Sequence, residues 1–78
     1  MDRKLRLLWD FRGLDSLETA KHHAIHLNEL VAIEKLTVHQ VAILEQNDYV
    51  NSAYLIIDEK GLDSYRNALK PHRITIVV

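Results

Sequence analysis

Two aspartates of this 78-residue chain hold equivalent positions in an internal repeat. The tetrapeptide Gly-Leu-Asp-Ser occurs at residues 13–16 and again at 61–64, and aligning the two copies superimposes Asp10 on Asp58. If the strands that carry them are adjacent and parallel, the two carboxylates meet at one edge of a sheet, where such a pair can hold Mg²⁺ or share a proton. Alternatively, each carboxylate pairs with the basic residue that lies two positions after it.

The histidines are the second group whose spacing could support chemistry. His22 and His26 are four residues apart, on the side of a predicted helix opposite its apolar residues, and such a pair can ligate Zn²⁺ or Cu²⁺. A structural metal normally needs a third and a fourth ligand, and neither a cysteine nor an HExxH motif accompanies the pair. We therefore interpret both side chains as part of a solvated helix face, and we predict no metal and no other cofactor.

Composition argues against several other classes of function. The chain has no cysteine, and neither of its two glycines has a second glycine nearby to form a phosphate-binding loop. Ten Lys and Arg against eleven Asp and Glu give a net charge of -1, which provides no general attraction to nucleic acid or to anionic lipid. No apolar run is long enough to span a membrane, so we expect a cytoplasmic protein with no membrane or nucleic-acid partner.

The elements that must position these residues follow from hydrophobic periodicity. Residues 4–11 alternate between apolar and polar side chains, which predicts a half-buried strand with Leu5, Leu7 and Trp9 on one face. A helix is predicted from Ser16 to about residue 32, with Asp15 as its N-cap in a capping box. Strands at 36–46 and 53–58, a short helix after residue 63 and a last strand at 72–78 complete the chain.

The order βαββαβ predicts a single α+β domain over residues 1–78 with a ferredoxin-like fold. We expect a four-stranded antiparallel sheet with both helices on one face, which leaves the other side, here called the open face, uncovered. A metallochaperone of this fold would have CxxC in the first loop, where residues 12–15 of this chain have none. The element order and an apolar open face resemble the dimeric α/β barrel group, which implies nothing about catalytic residues here.

The open face is where the sequence places its candidate functional residues. The repeat alignment directs Leu8, Tyr54 and Ile56 to its centre, and alternation along the second strand adds two aliphatic residues, so an apolar patch rimmed by charge is expected. The candidates for a ligand site or an interface are Arg6, Leu8, Asp10, Val41, Ile43, Tyr54, Ile56 and Asp58.

These features favour a small non-catalytic interaction domain that forms a homodimer through the open face. The alternative is a ligand-binding protein or enzyme with a small-molecule pocket on the open face, using Asp10, Asp58 and Tyr54. RNA binding on this face would require stacking aromatic side chains, and Tyr54 is the one aromatic residue that the pattern places there.

Overall fold

The computed structural model of the protein describes residues 3–77. Four strands and two helices follow one another in the predicted order βαββαβ, and a 3₁₀ turn at Glu59–Gly61 precedes the second helix. The elements are β1 (Lys4–Arg12), α1 (Ser16–Glu34), β2 (Gln40–Glu45), β3 (Val50–Asp58), α2 (Leu62–Leu69) and β4 (Arg73–Val77). This is an α+β fold consistent with the ferredoxin-like βαββαβ arrangement.

The four strands form one sheet in the order β2-β3-β1-β4, and every neighbouring pair is antiparallel. The central strands β1 and β3 are adjacent but antiparallel, so the condition for a pair of Asp10 and Asp58 carboxylates is not met. The helix α1 returns the chain to the same end of the sheet, so β2 runs parallel to β1. The tight connection between β2 and β3 then reverses the chain, and β3, inserted between β1 and β2, is antiparallel to both.

The core lies between the sheet and the helices. Leu5, Leu7 and Trp9 of β1 are buried on the helix side of the sheet, as the alternation predicts. The α1 residues Ala24 and Leu27 pack against them, and the small side chain of Ala24 allows the helix to approach closely. The rest of the buried cluster comes from β3 and consists of Ala53, Leu55 and Ile57. The helix α2 contributes only half-buried side chains, those of Leu62, Tyr65 and Leu69.

The facing of β2 corrects the sequence prediction. Val41 is paired with Leu55 and Ile43 with Ala53, so both aliphatic side chains lie on the helix side and not on the open face. The residues that β2 presents to the open face are Gln40, Ala42 and Leu44, which are paired with Ile56, Tyr54 and Ser52. Apolar side chains occur on both sides of this strand, so hydrophobic periodicity could not predict which side faces the helices. A shift of one residue in the register exchanges the two faces.

The element ends also differ from expectation at several points. Helix α1 extends to Glu34 and ends on Lys35, which has a left-handed backbone with φ 53°, so β2 begins later than predicted. Asp15 is the N-cap residue of α1, but its carboxylate makes no capping hydrogen bond, so the predicted capping box is not formed. In the part of the chain that the structure describes, no helix is long and apolar enough to cross a membrane.

Candidate functional site

The proposed pair of carboxylates does not form. Asp58 is the register partner of Lys4, whereas Asp10 is the partner of Ser52, six residues further along β1. Six residues of extended strand span about 20 Å, so the two side chains lie toward opposite ends of the open face. They cannot share a proton or a metal ion, because the antiparallel pairing of β1 and β3 reverses one copy of the repeat relative to the other.

Asp10 is instead held by two side chains of the open face. Arg73 of β4 donates from Nε to Oδ2 at 2.8 Å and from Nη2 to Oδ1 at 3.2 Å, and the Ser52 hydroxyl donates to Oδ1 at 2.5 Å. The hydrogen bonds from Arg73 are the main reason that the pKa of Asp10 lies below its ordinary value, while partial burial opposes them. The group is therefore an ionised carboxylate that joins β1, β3 and β4, and its basic partner is not Arg12.

Asp58 has a different partner at the other end of the face. His39, just before β2, donates from Nε2 to Asp58 Oδ1 at 2.8 Å, and its backbone N–H donates to the Ile56 carbonyl. The hydrogen bond from His39 is the main reason that the pKa of Asp58 is lowered. Because these residues are 19 positions apart, no local spacing in the sequence indicates the pair.

The aliphatic centre of the open face is buried even though no helix covers it. Leu8 is only 1% exposed, and the neighbouring Ile56 is 7% exposed. Along the strand and across the sheet, the neighbours of Leu8 on this face are the long or polar side chains of Arg6, Asp10, Tyr54 and Arg73. These side chains form a cover over the aliphatic residues, so the expected bare apolar patch becomes a polar layer above an apolar floor.

Arg6 is the charged residue of this cover that has no acidic partner among residues 3–77. Its guanidinium lies over the Tyr54 ring, with the Cζ atom 4.7 Å from the ring centroid. A cation–π contact of this type stabilises by about 0.5–1 kcal/mol at an exposed site. Arg6 Nε is buried without a hydrogen-bond partner, and no carboxylate within residues 3–77 forms a salt bridge with Arg6.

The edge strands complete the open face. On β4, Arg73, Thr75 and Val77 lie on this side, paired with Leu8, Arg6 and Lys4. On β2, the half-buried Ala42 and Leu44 take the place that was expected for Val41 and Ile43. The outward residues of β2 were missed because the register that selects them is set by pairing with β3, which no pattern within the strand records.

The histidine candidates remain apart from any site. His22 and His26 are exposed on α1, and no group of three or more potential ligands in residues 3–77 is placed to hold a metal ion. His23 is half-buried between the rings of Trp9 and Phe11, with centroid distances of 4.9 Å and 5.5 Å. Burial is the main reason that the pKa of His23 is lowered, which fits a neutral histidine that fills space beside the core.

Comparison with known proteins adds no identification to this geometry. No protein-family model, no curated protein and no solved structure matches the chain. A fold alone does not define a function, so the candidate function depends on the residues of the open face.

Proposed function

We propose that the protein is a non-catalytic interaction domain that forms a homodimer through its open face. The observation that carries this proposal is the placement of Arg6 and Asp10 on β1, two residues to either side of Leu8. Arg6 lacks an acidic partner within the described chain, whereas the Asp10 carboxylate retains lone pairs that can accept from a second guanidinium.

This arrangement is self-complementary under twofold symmetry. A dimer in which the open faces pack together about an axis that lies between the two sheets, parallel to both, perpendicular to the strands and above Leu8, reverses β1 against its copy. Arg6 of each copy then lies opposite Asp10 of the other, as an isologous interface requires. Tyr54, Ala42 and Leu44 supply half-buried apolar surface beside these contacts.

The dimensions of the face determine how strong such a dimer is expected to be. Four strands are about 19 Å across, and the nine residues of β1 extend about 30 Å. The projected area is below the ~800 Å² per partner of a standard interface, and weak complexes occupy this lower range. We therefore expect a dissociation constant in the micromolar range or above.

The lack of cysteine in the sequence supports a reducing compartment such as the cytoplasm as the location of the protein.

Sedimentation velocity over a wide concentration range tests the dimer. Between about 5 µM and about 1 mM, the weight-average sedimentation coefficient of the wild-type chain should rise toward that of a dimer. Ala42→Asp places an unpaired charge on the open face of an edge strand, where it is desolvated on association, and should shift the rise to at least about tenfold higher concentration. Arg6→Glu should do the same by setting two carboxylates against each other.

The control substitution introduces the same charge elsewhere. Ile33 on α1 is 73% exposed, so Ile33→Asp should leave both folding and association unchanged. Circular dichroism confirms that each variant is folded before its association is compared. A wild-type chain that stays monomeric at about 1 mM, or an Ala42→Asp variant that associates like Ile33→Asp, contradicts the proposal.

A further inference from the structure

Two large apolar side chains project into solvent at one end of the molecule, away from the centre of the open face. Leu14, in the turn between β1 and α1, is 81% exposed, and Tyr49, in the hairpin loop between β2 and β3, is 60% exposed. The backbone N–H of Gly13 donates to the Tyr49 carbonyl at 2.7 Å, so the two loops are joined beside these side chains. The pair therefore forms a local apolar projection and not two scattered residues.

The loop that carries Tyr49 is held in place by amide side chains. Asn47 Oδ1 accepts hydrogen bonds from the backbone N–H groups of Tyr49 and Val50, each at 2.8 Å. Asn51 Nδ2 donates to the Asn47 carbonyl and to the buried hydroxyl of Ser16, which links the loop to the first turn of α1. The exposed ring is thus mounted on an ordered backbone, which reduces the entropy that a partner would have to remove on binding.

A groove beside the two side chains has acidic character. It encloses about 580 Å³ and is lined by Leu14 and Tyr49 together with Glu45 and Asp48. Both carboxylates are exposed, and within the described chain neither has a hydrogen-bond or ion-pair partner. Of the described residues that line the groove, none is basic. Positive charge beside an apolar side chain is the chemistry that complements this surface.

We propose that this end of the molecule, here called the loop-end groove, binds a polypeptide segment in which an apolar residue is flanked by Lys or Arg. The apolar residue packs between Leu14 and Tyr49, and the basic side chains lie against Glu45 and Asp48. Aromatic anchors on an ordered scaffold are typical of residues that contribute most to protein binding. The surface is separate from the open face, so it would leave a homodimer free to bind two such segments.

Charge and shape together favour a polypeptide over the other cationic partners. A polyamine such as spermidine can neutralise Glu45 and Asp48 but has no bulky side chain to cover Leu14 and Tyr49. Burying apolar surface contributes roughly 25 cal/mol per Å², so a ligand that leaves both side chains exposed gains little from them. Nucleic acid is disfavoured because its phosphates would approach two unpaired carboxylates.

Titration of the ¹⁵N-labelled full chain, followed by amide resonances, tests the proposal. The probe is the synthetic peptide acetyl-Gly-Lys-Leu-Lys-Phe-Lys-Gly-amide, and the comparison peptide has Glu in place of each Lys. The basic peptide should cause saturable shifts at the amides of Leu14, Asp48 and Tyr49, whereas the acidic peptide and spermidine should not. Resonances of Ala42 and Tyr54 on the open face should not respond to the peptide, which separates this site from the homodimer.

Matched variants identify the side chains that are responsible. Tyr49→Ser, and separately the double change Glu45→Lys with Asp48→Lys, should each weaken peptide binding by about tenfold or more. Glu29→Lys, on an exposed position of α1 outside the groove, should leave it unchanged. The proposal is overturned if the basic peptide gives no saturable shift at about 1 mM, if spermidine gives the same shifts, or if the groove variants bind like Glu29→Lys.

Discussion

The two halves of the chain, residues 4–34 and 50–69, contain the same Gly-Leu-Asp-Ser tetrapeptide in two different conformations. In the first half, Gly13 has a positive φ of 114°, and α1 begins at Ser16. In the second, Gly61 has φ -92° at the end of a 3₁₀ turn, and α2 begins at the next residue. Identical local sequence therefore does not give identical local structure.

The leucines of the two copies show the same divergence. Leu14 is almost fully exposed, whereas Leu62 is half-buried against the core. The two serines differ as well: Ser16 is fully buried, and Ser64 is exposed. The helix α1 has 19 residues and begins three residues after its glycine, whereas α2 has eight residues and begins one residue after its glycine. The neighbours of each copy select its conformation.

The largest expected difference between the halves is at the glycines. Gly13→Ala forces a Cβ into a positive-φ backbone and places it 3.4 Å from Asp15 Oδ1, so we expect a loss of about 2 kcal/mol in the free energy of unfolding. Gly61→Ala requires no such backbone, and its Cβ would meet the Tyr65 ring at an ordinary 3.6 Å. It should be neutral or stabilise by up to about 1 kcal/mol. Urea unfolding of both variants measures the difference, and equal effects would show that the two glycines have equivalent roles.

A smaller difference is expected at the serines. Ser16→Ala removes the hydroxyl that accepts from Asn51 Nδ2 at 2.8 Å in a buried position. The amide keeps its hydrogen bond to the Asn47 carbonyl, so the expected cost is about 1 kcal/mol in the free energy of unfolding. Ser64→Ala, at an exposed position, should change it by less than about 0.5 kcal/mol. Urea unfolding measures both variants. If Ser64→Ala lowered the free energy of unfolding as much as Ser16→Ala does, the buried hydrogen bond of Ser16 would not be what distinguishes the two serines.

The smallest expected effect concerns Asp10 and Asp58, the aligned carboxylates of the two halves. Each has a pKa below its ordinary value, so the folded state binds a proton less readily than the unfolded state. Their contribution to the free energy of unfolding is present above the pKa of about 4 that an aspartate has in the unfolded state. It is lost as the pH falls through the lower pKa of the folded state. Asp10→Asn should destabilise the protein at pH 7 by less than about 1 kcal/mol, because the ion pair is partly exposed.

The acid dependence distinguishes the two carboxylates. Asp10 accepts from Arg73 and Ser52, whereas the one side-chain hydrogen bond to Asp58 within residues 3–77 comes from His39, so Asp10→Asn should reduce the acid-induced loss of stability more than Asp58→Asn does. Urea unfolding at several pH values between about 2.5 and 7 measures this. An acid response of Asp10→Asn identical to that of the wild type would show that Asp10 is not a source of the pH dependence.

The prediction from sequence succeeded where one alternating row of a segment is clearly apolar. In β1, the row containing Leu5, Leu7 and Trp9 has that character, and the structure buries it against α1. In β2, both rows are apolar, so the prediction for Val41 and Ile43 had no firm basis, and the pairing with β3 reversed it. The candidate site was thus only partly predictable: Arg6, Leu8, Tyr54 and Ile56 lie where expected.

The failure of the paired-aspartate site has a similar cause. Aligning two repeats superimposes the halves in sequence, but it does not give the direction in which their strands run in the sheet. Antiparallel pairing separates Asp10 from Asp58 and gives them Arg73 and His39 as partners, both distant in sequence. The cover over Leu8 also depends on long side chains from three strands, which a pattern in one strand cannot predict.

By itself, the sequence determined the order of the elements, the helix-facing side of β1 and β3, and the existence of an open face. These depend on periodicity within one segment, which reports which side chains share a side of a strand or helix. The tertiary structure alone decided the facing of β2, the separation of the carboxylates, the polar cover of the open face and the exposed pair Leu14 and Tyr49. Each of these depends on which segments become neighbours, and that follows from strand pairing and packing of the whole chain.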